Sequence, residues 1–576
     1  MSKSGPLEPV TSEIKTPSGD ITGEISPDYS SDSLYSKPKT ESKWTRFVDS
    51  FKRKQSGEAE GKQLAKGISR RHLTLMALVT GVGTGLLVGS GKSLHNAGPL
   101  FLVVGYAIVG SFLYPTLQAA GEMAVNYSEL SGGYNNYPRK FIDESIAFAV
   151  TWNYCIQWLS VIALELVTAS ITIKYWNTSI NSDVWVAIFF VLIVFINFVG
   201  AKGYGEGEFV FGCLKLCMIT GFIIMAIVVD VGGGPQKKYI GGKFWHDPGY
   251  YTNFKGLCSV FVTGAFSLGQ SEFVALSAAE QPNPRVAIPA ACKLIFWRVL
   301  ILFLGSLTMV GLLVPYNSDQ LMGSQGGGSH ASPFVLAAAL HGVHVVPHII
   351  NAVILFSVVS VASSALYSSS RTLQSLSEQG FAPSYFNYID REGRPFRALC
   401  ICTFFGLFSF IAAYKKQETV FNWLLAISGL SQVFTWTAIC VSHIRFRYAL
   451  KYNGISTDAL GYKASTGVIG SVYATVILML ILVAQFWIAL YPIGAPKPDA
   501  ENFFQNYLGA CVFILFYVGH KLYTRKWRLY IKTEDIDINA DRTIFDQELL
   551  NLQKQEESER FQKYSFPRKV WKVLFA

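Results

Sequence analysis

Long apolar stretches recur between residues 73 and 524, each separated from the next by polar, basic or glycine- and proline-containing runs. About 20 mostly apolar residues are needed to cross the hydrocarbon of a bilayer as a helix. Twelve stretches meet that length within a few residues: about 73–96, 100–124, 146–173, 184–201, 207–230, 257–279, 295–315, 346–372, 398–414, 420–443, 468–490 and 504–524. The pattern predicts an all-α polytopic membrane protein with 12 transmembrane helices. Residues 1–71 are polar and rich in Ser, Thr, Lys and Pro. They read as a disordered cytosolic tail with no cleavable signal peptide. Residues 72–524 form the twelve-span membrane domain, and 525–576 a second cytosolic tail. Within that tail, 541–561 predicts a short amphipathic helix. Its Ile544, Leu549, Leu550 and Leu552 lie along one side, ready to fold against the cytoplasmic face.

An even number of spans puts both termini on one side. Alternate loops, beginning with that between spans 2 and 3, carry Arg139, Lys140, Lys202, Arg285, Arg391, Arg394, Arg397, Arg445, Arg447 and Lys451. The tail ends beside the membrane add Arg70, Arg71, Arg525, Lys526 and Arg528. The positive-inside rule makes this side cytoplasmic. Lys237, Lys238, Lys243 and Lys255 in the 231–256 loop run against the trend, so orientation follows the sum of the loops.

Two spans contain glycines where a helix interior should not. Span 1 reads GVGTGLLVGSG over 81–91, and span 6 reads GAFSLGQSE over 264–272. Each interior glycine costs on the order of 1 kcal/mol relative to alanine. The two interruptions stand five spans apart, the pattern of an inverted repeat with its binding site at the breaks. Close helix packing is the competing explanation, because Gly81/Gly85 and Gly85/Gly89 have small-xxx-small spacing. A helix that unwinds at membrane depth must turn its freed N–H and C=O groups toward protein or a polar cavity. The N–H groups opening one half-helix attract a carboxylate, and the carbonyls ending the other accept from an ammonium. A ligand carrying both groups close together is an α-amino acid. Thr84 adds a hydroxyl.

Composition agrees: half of the residues are hydrophobic and 15% charged, too apolar for a soluble domain of 576 residues. The net charge of +10 follows the loops and tails and gives no argument for nucleic acid. Nine cysteines (155, 213, 217, 258, 292, 400, 402, 440 and 511) lie mostly in the spans without framework spacing, and read as buried small hydrophobes. No metal or nucleophile constellation stands out, and no cofactor is expected. Ionisable residues at membrane depth are costly. They are Glu122, Glu165, Lys215, Glu272 and Arg298. For Glu122, Glu165 and Arg298, interfacial or structural pairing weighs at least as much as a direct role. Lys215 can occupy the place of a coupling cation, and Glu272 follows the span 6 break closely. Either can carry a proton.

The stretches RHLTLMALVTGVGTGLLVGSGKSL, SGGYNNYPRKFIDESIAFAVTWNYCIQW, GAKGYGEGEFVFGCLK, YIGGKFWHDPG, PNPRVAIPAA, VGLLVPYN and SHIRFRYAL resemble the fungal amino acid permeases of the amino acid–polyamine–organocation superfamily, from about residue 70 to past 540. The resemblance implies the five-plus-five inverted-repeat (LeuT-like) fold with two extra C-terminal spans, and proton-driven amino acid uptake at the plasma membrane. By matching positions, it implies that Gly83, Thr84 and Gly85 bind the substrate carboxylate, and that backbone near Phe266, Ser267 and Gly269 binds the amino group. Ser360 and Val361 then line the substrate path. Glu272 matches an acid tied to gating and proton coupling, and Lys215 a lysine that stands where other members hold sodium. Gln270 occupies a position that is small in the family and is expected to alter side-chain selectivity. Ala362-Ser363 replaces the Gly-Asn of broad-range relatives. The chain ends KVLFA where many relatives end Phe-Trp-Cys, so no lipidated C-terminal cysteine is expected.

The resemblance also implies that tail lysines (Lys37, Lys39, Lys43, Lys52, Lys54, Lys62 and Lys66) meet ubiquitin ligase machinery. The sequon Asn177-Thr178-Ser179 lies too near the membrane for its use as a glycosylation site to be expected. The reading is therefore a proton symporter importing amino acids, neutral and broad in range, rather than an enzyme. Its partners are the substrate, protons and membrane lipid. The alternatives are an exchanger on the same fold, or a sensor or transceptor, the former needing a counterflow test and the latter disfavoured by the short N-terminal tail. A channel is disfavoured because the charges at depth form no ring.

Overall fold

At membrane depth, backbone polar groups are satisfied only within helices or closed barrels, and this chain takes the first course. In a computed structural model, described for residues 49–52, 70–128, 130, 133–176, 179–281, 283–321, 332–412, 417–495, 497–545 and 547–565, 75% of the described residues are helical and none forms a strand. Residues 50–576 make one compact unit, separate from 1–49. The principal helices are α1 (Arg70–Val79), α2 (Gly85–Asn126), α3 (Glu144–Ile173), α4 (Ser182–Phe198), α5 (Ala201–Asp230), α6 (Phe254–Leu268), α7 (Pro284–Leu313), α8 (Val346–Glu378), α9 (Phe396–Gly406), α10 (Gln417–Tyr452), α11 (Gly467–Leu490) and α12 (Ala500–Thr524).

Nine helices among the described residues are long and apolar enough to cross a membrane, so the protein is polytopic. Predicted spans 4 and 9 fall on the shorter apolar helices α4 and α9. The 42-residue α2 is two segments joined at Gly98, whose φ of 78° and ψ of 168° belong to glycine alone. Pro99 follows and lacks the N–H that would bridge the joint. A Cβ on Gly98 would lie 2.9 Å from the Cα of Tyr251.

The helices divide into a buried core and an outer layer. The apolar windows of α3, α6 and α10 are 78%, 83% and 78% buried, against 22% and 11% for α11 and α12. Helix α3 packs against α8 and α10, and α2 against α6. The outward faces are apolar, as lipid contact requires. Cys213, Cys217 and Cys400 are exposed there, beside Val210, Leu214 and Phe404, which corrects the expectation that every cysteine is buried. Near the end of α2, Glu122 is held by Arg447 (2.6 Å), by His443 (3.2 Å) and by the N–H of Ala464, the pairing that the sequence left open beside a direct role.

The segment after α12 is tied down as an extended strap. The Ile531 N–H donates to the Ile142 carbonyl (2.8 Å), the Tyr127 hydroxyl to Ile538 (2.8 Å) and the Thr543 N–H to Asn126 (2.9 Å). The Arg445 guanidinium donates to the carbonyls of Phe141 and Ile531, and Ile536 and Ile538 are buried. The predicted tail helix forms as Gln547–Gln562. Ile544 and Leu552 are 78% and 57% exposed, however, so they do not make the apolar docking face expected of them. The sequon residues Asn177 and Thr178, and the tail lysines other than Lys52, lie outside the described residues. Gly98→Ala is expected to destabilise by about 1–3 kcal/mol through its backbone conformation, with the Tyr251 contact added. A lowered thermal midpoint in detergent checks this.

Candidate functional site

Both predicted interruptions are present. Helix α1 ends at Val79, and residues 80–83 are not helical. Thr84 has already returned to helical geometry (φ −51°, ψ −38°), and Gly85–Gly89 form a π-helical turn leading into the rest of α2. The unwound stretch therefore lies a few residues before the expected Gly83–Gly85, with Gly83 as its last member. Helix α6 ends at Leu268, residues 269–272 turn, and Phe273–Leu276 resume the helix.

The two breaks touch. A Cβ on Gly81 would lie 3.0 Å from the carbonyl oxygens of Ser267 and Gly269. One on Gly85 would lie 2.6 Å from Ser267 Oγ and 2.8 Å from Phe266 Cδ1 and Ser267 Cα. One on Gly83 would reach Val361 Cγ2 at 2.6 Å, so the third glycine approaches α8. Unwinding and close packing, posed as rivals from the sequence, occur at the same glycines.

Arg298 joins the broken ends. Fully buried in the π-helical part of α7, its guanidinium donates to the Ala77 carbonyl in the last turn of α1 (3.3 Å), to the Leu268 carbonyl at the end of α6 (3.1 Å) and to the hydroxyl of Ser271. Carbonyls in the last turn of a helix have no intrahelical partner. A forked cation at that end supplies several donors at once. Arg298 thus serves structure at the site itself.

Two buried polar clusters flank the junction. In the first, Thr84 donates to Glu165 Oε2, so its hydroxyl proton is already committed to protein. Lys215 Nζ donates to Ser360 Oγ (2.7 Å), and Ser360 in turn donates to Glu208 Oε1 (2.7 Å). Ser364 also donates to that oxygen (3.1 Å). In the second, Glu272 accepts from Tyr154 (3.3 Å) and from the indole of Trp436 (3.2 Å), between α3 and α10. Glu272 and Lys215, taken together from the sequence as coupling groups, belong to different clusters. Ser267 donates to the Thr263 carbonyl (2.7 Å) and lies 2.8 Å from the Tyr106 hydroxyl. Phe266 is half-buried. Gly269 caps α6, its N–H bonded to the Phe266 carbonyl (3.2 Å). Gln270 is 6% exposed, has a φ of 63°, and leaves its Oε1 without a hydrogen bond.

Sequence reasoning missed Glu208, Tyr154, Trp436 and Tyr106. Glu208 was within reach: it precedes Lys215 by seven residues, two helical turns on the same face. It falls where predicted span 5 begins, and such a residue reads as interfacial; α5 in fact starts at Ala201, so Glu208 is buried. No group of three or more His, Cys, Asp or Glu side chains able to hold a metal occurs among the described residues.

A polytopic helical protein whose two broken helices meet in a buried polar centre has the build of a membrane transporter of small solutes. The amino acid permease family model matches residues 72–533. The chain is 54% identical to the general amino acid permease AGP1 of Saccharomyces cerevisiae over 513 residues, 88% of this chain and 81% of the relative. It is 52% identical to the high-affinity glutamine permease of that yeast, covering 91% of this chain and 80% of the relative. It is 45% identical to the general amino-acid permease GAP1, covering 90% and 89%. The chain belongs to the amino acid permease family, and it is a transporter of amino acids, not an enzyme.

Two stability measurements check this geometry. Arg298→Lys keeps the charge and loses the fork, and is expected to destabilise by about 2–3 kcal/mol. Gln270→Gly removes a left-handed side chain and is expected to stabilise by about 1–2 kcal/mol. Opposite shifts of the thermal midpoint in detergent are the readout.

Proposed function

We propose that this chain is a proton symporter that imports neutral amino acids of broad range across the plasma membrane, with both termini cytoplasmic. Its fold is read as twelve spans, two inverted repeats of five followed by α11 and α12. The low burial of the last two helices supports their place outside the repeat. The carrying observation is the contact of the two breaks at Gly81, Gly85, Ser267 and Gly269. There the half-helix that begins at Thr84 presents N–H donors to a carboxylate, and carbonyls ending α6 accept from an ammonium.

The named residues divide the work. Gly83, Thr84 and Gly85 hold the carboxylate through backbone. Phe266, Ser267 and Gly269 hold the ammonium. Ser360, Val361 and Gln270 bound the path of the side chain, and Lys215 and Glu272 couple it to the proton. A neutral cargo is favoured because the acids are already engaged: Glu165 by Thr84, Glu208 by Ser360 and Ser364, Glu272 by Tyr154 and Trp436. Relatives named as general, glutamine and valine permeases fit that range.

Uptake of twenty labelled amino acids in a permease-deficient yeast, with and without a protonophore, tests the reading. Protonophore-sensitive accumulation of several neutral amino acids is expected. Undiminished uptake with the protonophore, together with strong counterflow, would make the protein an exchanger. Gly85→Ala, whose methyl group would press on Ser267, is expected to lose about tenfold in uptake per copy at the plasma membrane, since about 1.4 kcal/mol in either substrate binding or the transport barrier corresponds to that factor. Amino acid methyl esters should fail to compete with substrate. Gln270→Gly should transport and shift the competition profile; an unchanged profile would place that side chain outside the path.

A further inference from the structure

The first polar cluster carries an imbalance of charge. Glu165 and Glu208 supply two carboxylates and Lys215 one ammonium, all three buried. With every group ionised the cluster holds one excess negative charge, and one added proton neutralises it. An uncompensated charge at membrane depth is costly, so the cluster has room for one proton. The connections are asymmetric. Glu165 reaches the substrate junction through Thr84, while Glu208 lies on the other side of Lys215, bridged by Ser360. Seven residues of helix at about 1.5 Å each bring Glu208 about 10 Å closer than Lys215 to the start of α5, the end predicted to be cytoplasmic.

We propose that Glu208 is the inner proton-binding site of the transport cycle, taking the coupled proton from Lys215 through the hydroxyl of Ser360. This rests on the reading of the chain as a proton symporter. In the step, an Nζ–H bond of Lys215 breaks and an O–H bond forms at Ser360. The original O–H bond of Ser360 breaks and a new one forms at Glu208 Oε1. An ammonium and a carboxylate become a neutral amine and a neutral acid, and Ser360 is unchanged. The amine then takes the proton that arrived at Glu165. The existing hydrogen bonds already point along this route, from Lys215 to Ser360 to Glu208. Glu208 Oε2 makes no hydrogen bond, so the protonated carboxyl can rotate to turn its Oε1–H away from Ser360 and pass the proton on when the inner side opens.

The charged and titratable neighbours allow this role. On α5 they are Lys215 and Tyr204, the latter 2.9 Å from Ser364. From α8, Tyr367 stacks on Tyr204 at 4.1 Å, and Arg371 lies over Tyr367 but is paired with Glu280. From α1, His72 lies beside Gly205 and pairs with Glu206 at 3.2 Å, as does Arg71. From α3, Glu165 faces Lys215. Arg371 is thus committed to Glu280, and Arg71 and His72 share Glu206.

The test reconstitutes the full chain in proteoliposomes and measures two quantities: accumulation driven by an imposed pH gradient, and counterflow at equal pH. A gradient of about one unit drives about tenfold accumulation at one proton per substrate. Glu208→Gln is expected to bring that ratio to about one, to reduce counterflow far less, and to flatten the pH profile of uptake. Glu208→Asp should restore part of the accumulation. Ser360→Ala, which leaves both charges and removes the bridge, should likewise lose gradient-driven accumulation and flatten the pH profile, and serves if Glu208→Gln does not fold. Wild-type accumulation with an unchanged pH profile in Glu208→Gln or Ser360→Ala would overturn the proposal while leaving symport intact. Absence of gradient-driven accumulation in the unmutated protein would overturn the symport reading itself, and this proposal with it.

Discussion

A carbonyl freed at membrane depth has no water to turn to, and here a single guanidinium meets two of them. Arg298 donates to Ala77 at the end of α1 and to Leu268 at the end of α6, so one side chain holds both interruptions closed. The break in each helix is tolerable because the other is beside it. A neutral side chain could satisfy one carbonyl. A planar fork with several donors spans two helix ends and the Ser271 hydroxyl as well. The cost of burying that charge is offset by acceptors that would otherwise be unpaired.

The same economy governs the glycines. Gly81 and Gly85 bring the backbone of one break within van der Waals reach of the other, and a methyl group on either would collide with Ser267 or Gly269. Flexibility and thinness are both in use: the chain turns at 80–83 and the neighbour fits against it. Gln270 is the exception to this design. It takes a left-handed conformation that glycine would adopt without strain, and it buries an amide oxygen with no partner. Strain and an unsatisfied polar atom at one residue beside the junction of the two breaks mark a place where stability has been given up for something other than folding.

The buried ions fall into groups with different tasks. Glu122 with Arg447 and His443, and Glu280 with Arg371, tie helix ends together. Arg298 serves the breaks. Glu272 lies under Tyr154 and Trp436 on one side of the junction, and Lys215 with Glu165 and Glu208 on the other. The junction of the two breaks therefore stands between two separately held clusters, and the one with the lysine has two carboxylates to one ammonium.

The apolar runs by themselves determined that the chain crosses a membrane many times as helices, because hydrocarbon leaves backbone groups no other partner. They also located the two interruptions to within a few residues, since glycines at the centre of a span contradict helix propensity and announce themselves. Lys215 and Glu272 were legible for a similar reason: a charge inside an apolar run is conspicuous. What the sequence left open was which residues meet. Arg298 gave no sign of reaching α1 and α6, for hydrogen bonds between residues 221 and 30 positions apart have no local signature. Glu208 looked like the start of a span, because hydropathy reports depth along one helix and is silent about its neighbours. Cys213, Cys217 and Cys400 looked buried because an apolar run does not distinguish lipid from protein. Only the packing of helices decided those questions, since partner choice depends on distances across the bundle that no stretch of chain contains.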